Sequence, residues 1–153
     1  MNIAWMYLDK RNAVINALKD YESMNYIVTN SPPEINEVEE RMIGQGGRSF
    51  SDIPKGVSDP KANENRVVQA IDTITLMNER YQRALEYMAW FRPAWQALSE
   101  DERFVLSRFY MDDESKQADS VCEICERFHI ERTSAYKKKD RALYRLALLL
   151  YGK

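Results

Sequence analysis

Apolar residues recur along the first stretch of the chain with helical spacing. Tyr7, Lys10, Val14, Ala17, Tyr21, Met24 and Val28 step by three and four residues, a heptad seam interrupted by Lys10. Neither Gly nor Pro occurs before Pro32, so the pattern predicts a helix over 2–28. A second seam follows at Val67, Ile71, Ile74, Asn78, Tyr81, Leu85 and Met88. Asp59-Pro60 opens it, an N-cap followed by proline at the first helical position, and Pro93 is expected to kink or end it. Four of the five glycines and four of the five prolines fall within 32–60. That composition predicts a connector at about 29–59, with one short helix in 33–43.

Two heptad-patterned helices joined by a connector imply an antiparallel hairpin, an oligomer seam, or both. Asn78 occupies a seam position, where a buried polar residue fixes register in a coiled coil. A hairpin core with one polar edge position explains it equally well. Trp90, Phe91 and Trp95 crowd around Pro93 and are expected to form the core joining this arm to the C-terminal domain. Their neighbourhood is acidic, which favours packing over stacking on bases.

Beyond the arm, Ser99 and Glu102 form a capping box that opens a helix through Met111, with Phe104, Val105, Leu106, Phe109 and Tyr110 as its apolar face. A polar loop is expected over 112–119. Ser120 and Glu123 make a second capping box, which starts a short helix at Val121 with Val121, Ile124, Cys125 and Phe128 along one face. His129-Ile130-Glu131 interrupts the pattern, and a basic helix runs from Arg132 to Leu150 with Ala135, Ala142, Leu143, Leu146 and Leu150 facing inward. A short helix, a three-residue turn and a longer basic helix make a helix-turn-helix, whose second helix enters the major groove of DNA. Cys125 supplies the small side chain that a tight helix crossing needs. His129 stands where the turn needs a positive φ, which His tolerates better than most residues, and Ile130 plugs the turn into the core. The expected architecture is all-α: a helical hairpin or coiled-coil arm over 1–92, then a helix-turn-helix domain over 93–153.

A net charge of −2 argues against a nucleic-acid partner until its distribution is considered. Residues 132–153 hold seven Lys or Arg against Asp140 alone, giving +6, while residues 99–131 hold four bases against ten acids, giving −6. A phosphate backbone meets local rather than total charge.

The remaining chemistry narrows the classes. Cys122 and Cys125 with His129 suggest zinc, but a structural site needs four ligands and His129 is the sole histidine, so neither metal nor cofactor is expected. Gly44-Gln-Gly-Gly47 lacks the Lys-Ser/Thr of a phosphate loop, and acid pairs such as Glu39-Glu40 and Asp112-Asp113 read as solvated faces. No enzyme is expected. No apolar run approaches the roughly 20 residues of a membrane span. Acid and base at Asp9 and Lys10 precede any secretory core, so the expected location is cytoplasmic.

Val121-Cys-Glu-Ile-Cys-Glu-Arg-Phe-His-Ile-Glu-Arg-Thr-Ser-Ala-Tyr-Lys-Lys-Lys-Asp-Arg-Ala-Leu143 resembles the promoter-binding C-terminal domain of bacterial sigma factors, and Leu98-Ser-Glu-Asp-Glu-Arg-Phe-Val-Leu106 resembles that domain's first helix. In layout the whole chain is similar to the ArpU-like and RinA-like regulators of phages and prophages of Gram-positive bacteria. The resemblance implies a regulator of late phage genes that binds double-stranded DNA, with RNA polymerase as a further candidate partner, while the heptad seams imply a homodimer built by the arm. By position, Arg132, Thr133, Tyr136 and Lys137 correspond to base-reading places, and Lys139, Arg141 and Arg145 to backbone contacts. Glu131 departs from the usual Ser or Thr N-cap, and Lys138 replaces an apolar residue, so its stem must snorkel from the core edge. A DNA-packaging component of the terminase small-subunit kind would share this layout. A protein-interaction module binding an acidic partner would use the same basic helix.

Overall fold

A computed structural model describes residues 8–46, 60–112 and 116–152, and their regular structure is helical throughout. In chain order the helices are α1 (Lys10–Gly46), α2 (Pro60–Ala97), α3 (Glu100–Leu106), α4 (Gln117–Phe128) and α5 (Arg132–Tyr151). A π turn, Ser107–Met111, continues directly from α3 and closes with the Asp112 amide donating to the Ser107 carbonyl at 3.1 Å. No helix among the described residues is long and apolar enough to cross a membrane.

The prolines end less than the sequence suggests. α1 runs for 37 residues through Pro32 and Pro33, so residues 29–46 of the expected connector are helical, and the short helix expected in 33–43 is part of α1. Residues 47–59, the rest of that connector, lie outside the described residues. An interior proline removes an amide donor and costs about 3 kcal/mol. The stripe of Ile27, Ser31 and Ile35 stays buried across the interruption, which offsets that cost. Thr29 Oγ1 and Asn30 Nδ2 each donate at 2.9 Å to the carbonyls of Asn25 and Tyr26 just ahead of the proline pair. α2 likewise continues past Pro93 to Ala97. Here too the flanking Phe91, Ala94 and Leu98 are buried.

The chain divides into two compact units, Met1–Met24 with Tyr87–Lys153, and Asn25–Glu86. In the first, one apolar cluster joins Val14 and Leu18 of α1, Phe91 of α2 and Leu98 just after it, Leu106 of α3, and Leu143, Leu146 and Leu150 of α5. Phe91 is its hub: it is fully buried and its ring lies 5.4 Å from Tyr87, 5.6 Å from Tyr21 and 5.8 Å from Trp95. Trp90, at the rim, meets Tyr151 edge-on at 5.5 Å. The Tyr87 hydroxyl donates to the Ala17 carbonyl, and burial pushes this phenol above its ordinary value.

The aromatic cluster therefore packs as expected, but the boundary expected at 92/93 falls elsewhere. The unit that carries the helix-turn-helix also contains the first part of α1. Val14, Ala17 and Tyr21, expected to form an arm seam, serve this core together with Leu18. The reason is cover: the inner stripe of α5 needs more apolar surface than three short helices supply. A second, smaller cluster of Val105, Val121, Ile124 and Ala135 holds the helix-turn-helix itself together, with Phe104, Phe109, Cys125, Phe128 and Ile130 packed around it.

The other unit is thinly covered. Ile27, Ser31, Ile35 and Ala84 are buried, whereas Tyr26, Ile43, Val67, Val68, Ile71 and Leu76 are exposed. Asn78 is exposed as well, so no partner among the described residues buries the polar seam position.

Candidate nucleic-acid interface

α4 begins at Gln117, four residues earlier than the capping box at Ser120 and Glu123 implies. That box does not form. Ser120 is buried, and its hydroxyl donates to the Lys116 carbonyl at 3.0 Å, which satisfies it inside the helix. Glu123 instead meets Arg108 Nε at 3.1 Å. The expected face is present: Val121 and Ile124 are buried, and Cys125 and Phe128 are half-buried. At the C-terminus His129 adopts φ 52 and ψ 49, the left-handed conformation anticipated for it. The Ile130 amide then donates back to the Cys125 carbonyl at 3.1 Å, the six-to-one bond of a Schellman stop, and Ile130 packs on the smaller cluster.

α5 starts after Glu131, whose backbone is extended and whose side chain makes no capping bond. Ala135, Ala142, Leu143, Leu146 and Leu150 are all buried, as the inner-face pattern requires. The remaining positions sort into three stripes at about 100° per residue. Thr133 and Lys137 face outward and are exposed. Arg132, Tyr136 and Lys139 share one flank, where the Tyr136 ring lies 5.6 Å from Phe109 of the π turn. Lys138, Arg141 and Arg145 share the other. The structure thus brings Arg132, Thr133, Tyr136 and Lys137 together on exposed surface at the N-terminal half of α5.

The residues expected to touch phosphates are treated unequally. Arg141 is exposed, beside Asp101, Glu102 and Lys138. Lys139 has a side chain only 14% exposed; its ammonium lies 5.3 Å from the Phe109 ring centre, 5.2 Å from that of Tyr136 and 3.6 Å from Asp140. Arg145 is engaged already, with Nη1 3.1 and 3.0 Å from the two carboxylate oxygens of Glu102. Glu102 also closes the capping box at Ser99, accepting from the Ser99 amide at 2.8 Å. Burial pushes the Glu102 carboxyl up, but the Ser99 and Arg145 hydrogen bonds outweigh it and hold the group below its ordinary value. Lys138 snorkels as anticipated, with its ammonium 4.3 Å from the Phe128 ring centre.

Internal arginines absorb much of the acidic segment. Arg127 lies 3.6 Å from both Glu100 and Asp101, and Arg108 meets Asp112 at 3.0 Å as well as Glu123. Asp140, the one acid within the basic helix, is met by Arg11 of α1 at 3.0 Å. Sequence reasoning missed Arg11, and a partner 129 positions away leaves no local signal. No ion pair joins Arg132, Lys137 or Arg141 among the described residues. The outcome is a net basic outer surface on α5 over a substructure in which Glu100, Asp101, Glu102, Asp112 and Glu123 are paired.

Cys122 is exposed and Cys125 half-buried, both as free thiols. Among the described residues no group of three or more His, Cys, Asp or Glu could hold a metal ion. Compared with protein-family models, curated proteins and solved structures, the chain matches none.

Proposed function

We propose that this chain is a sequence-specific DNA-binding transcription regulator in which α5 enters the major groove. The observation that carries the reading is the outer surface of α5, where Arg132, Thr133, Tyr136 and Lys137 are exposed directly behind a left-handed turn at His129. An exposed basic helix that follows a short helix across a tight turn is the arrangement that reads base edges. Arg132 grips a guanine edge, and Thr133 and Tyr136 meet thymine methyls or phosphates, with Lys137 alongside. Lys139 and Arg141 contact the backbone. Arg145 contributes less, because Glu102 already engages it. The protein acts as a homodimer, its exposed α2 seam covered by a second copy, and its resemblance to phage late-gene regulators suggests promoters of that class. RNA polymerase is a further partner on the same grounds.

Binding titrations on a preferred duplex, selected from random sequence, and on a scrambled one test this at several salt concentrations. Arg132→Ala should cost about 1–3 kcal/mol of discrimination between the two duplexes. Arg141→Ala should leave discrimination unchanged and reduce the salt slope by about one unit. Arg145→Ala should change the slope less. Equal loss on both duplexes for Arg132→Ala would show that this face does not read sequence, and absence of binding to either at low salt would sink the assignment.

A further inference from the structure

Beside the base-reading stripe, α5, the π turn and the first turns of α4 enclose an open cleft of about 490 Å³. Its walls are Phe109 and Tyr110 from the π turn, Ala118 and Val121 from α4, and Arg132, Tyr136 and Lys139 from α5. That volume lies in the range of small-molecule sites, about 300–1,000 Å³. A major-groove reader has no need of a concave site at this position, because base edges are met by a convex helix surface.

The lining is specific in its chemistry. Tyr136 is 42% exposed, so part of its side chain remains open beside Phe109 and the Lys139 ammonium. Arg132 is exposed at the cleft's mouth, and the ammonium of Lys139 is held near the rings with a single carboxylate, Asp140, at 3.6 Å. A cation so poorly solvated gains more from a second anion than an exposed lysine does. Aromatic rings with the Lys139 ammonium 5.2–5.3 Å from their centres, and Arg132 lining the same cleft, match a planar ring bearing a phosphate. An apolar ligand would leave Arg132 and Lys139 unused, and a bare anion would leave the rings unused.

We propose that this cleft is a binding site for one nucleotide, its base stacked on Tyr136 and its phosphate met by Arg132 and Lys139. The proposal deepens the nucleic-acid reading of the same surface. Two sources carry that chemistry, a free mononucleotide and a single unpaired nucleotide of a strand, as occurs where bases are splayed out of a stack. Occupation by the free form would engage Arg132 and Tyr136 and so compete with duplex reading.

The test uses the full chain and calorimetric titration with thymidine monophosphate, thymidine, inorganic phosphate and a single-stranded oligothymidylate. Thymidine monophosphate or the oligonucleotide should bind about tenfold or more tightly than thymidine or phosphate, because ring and phosphate contribute together. Ala118 is exposed on α4, so Ala118→Trp should fill the cleft without unfolding the chain and lower that affinity at least about tenfold. Tyr136→Leu, at an exposed ring, should reduce nucleotide affinity to that of phosphate. Binding of the mononucleotide identifies the free source, and binding of the oligonucleotide alone identifies the strand. Equal affinity for nucleotide and phosphate, no binding of either nucleotide form, or unchanged binding in Ala118→Trp would overturn the proposal. Duplex binding without nucleotide binding would defeat this inference alone, and nucleotide binding without duplex reading would defeat only the regulator reading.

Discussion

Val14, Ala17 and Tyr21 occupy seam positions of one heptad pattern, and Val67, Ile71 and Ile74 occupy those of another. Val14 and Ala17 are buried in the first unit, while Val67 and Ile71 in the second are each 50% exposed. Spacing of three and four residues was the same signal in both. What separates them is supply: the first unit brings Phe91, Leu98 and Leu146 to its seam, and the second has no comparable apolar surface among its described residues. Heptad spacing identifies which face of a helix is apolar. Whether that face meets its own chain or another is decided by apolar surface far away in sequence.

The largest expected effect tests the buried side of this contrast. Phe91→Ala should destabilise the first unit by about 3–5 kcal/mol, read as a shift of the denaturant midpoint, and should abolish DNA binding. Ile71→Ala should move the unfolding of the isolated monomer by less than about 0.5 kcal/mol. Similar losses for the two would erase the difference between the units. By the same logic, residues 97–153 alone lack Val14, Leu18 and Phe91 and should show no cooperative melt by circular dichroism.

The exposed side is tested next. If a second copy covers the α2 seam, Val67→Asp with Ile71→Asp should convert dimer to monomer in sedimentation equilibrium. Loss of linked binding should weaken affinity for a two-half-site duplex by about a hundredfold. A wild-type chain that sediments as a monomer at micromolar concentration would leave the seam without a partner of this kind.

Smaller effects sharpen the account of the first unit. His129 holds a left-handed turn, so His129→Gly should preserve stability or raise it by up to about 1 kcal/mol, and His129→Val should lower it by about 1–2 kcal/mol. The weakest effect is the pH response of Glu102. Its carboxyl sits below the ordinary value in the folded chain, so ionised Glu102 contributes stability at neutral pH. That contribution is lost as pH falls through the ordinary carboxylate range and then the lower folded value. Melting temperature should therefore drop on acidification, and Glu102→Gln should remove part of the slope while lowering stability near neutrality.

The elements most legible in the sequence were those whose cause is local. The capping box at Ser99, the left-handed His129 and the inner stripe from Ala135 to Leu150 each follow from a few neighbouring residues, and the structure carries all three. The passage of α1 through Pro32 and Pro33 was hidden, because proline's local cost is visible and the compensating burial of Ile27, Ser31 and Ile35 is not. Ser120 reads as a cap from its type and spacing, yet it bonds backward within α4. The π turn at 107–111 has no residue signature, since it differs from α-helix only in which carbonyl each amide reaches. Of the candidate site, the exposed positions on α5 were legible from periodicity. The engagement of Arg145 by Glu102 and of Asp140 by Arg11 depends on helices meeting across the chain, which no pattern encodes.

The reach of α1 into the C-terminal core also sets an order of events during synthesis. Leu18 and its hub partner Phe91 are 73 positions apart, and Leu146 comes 128 positions after Leu18. At about 5–20 residues per second, a ribosome makes Phe91 roughly 4–15 s after Leu18, and Leu146 roughly 6–26 s after it. Throughout that interval the stripe of Val14, Ala17 and Leu18 has emerged without its cover. α1 is thus made well before the surface that covers it, and until then it offers apolar surface to chaperones or to neighbouring nascent chains.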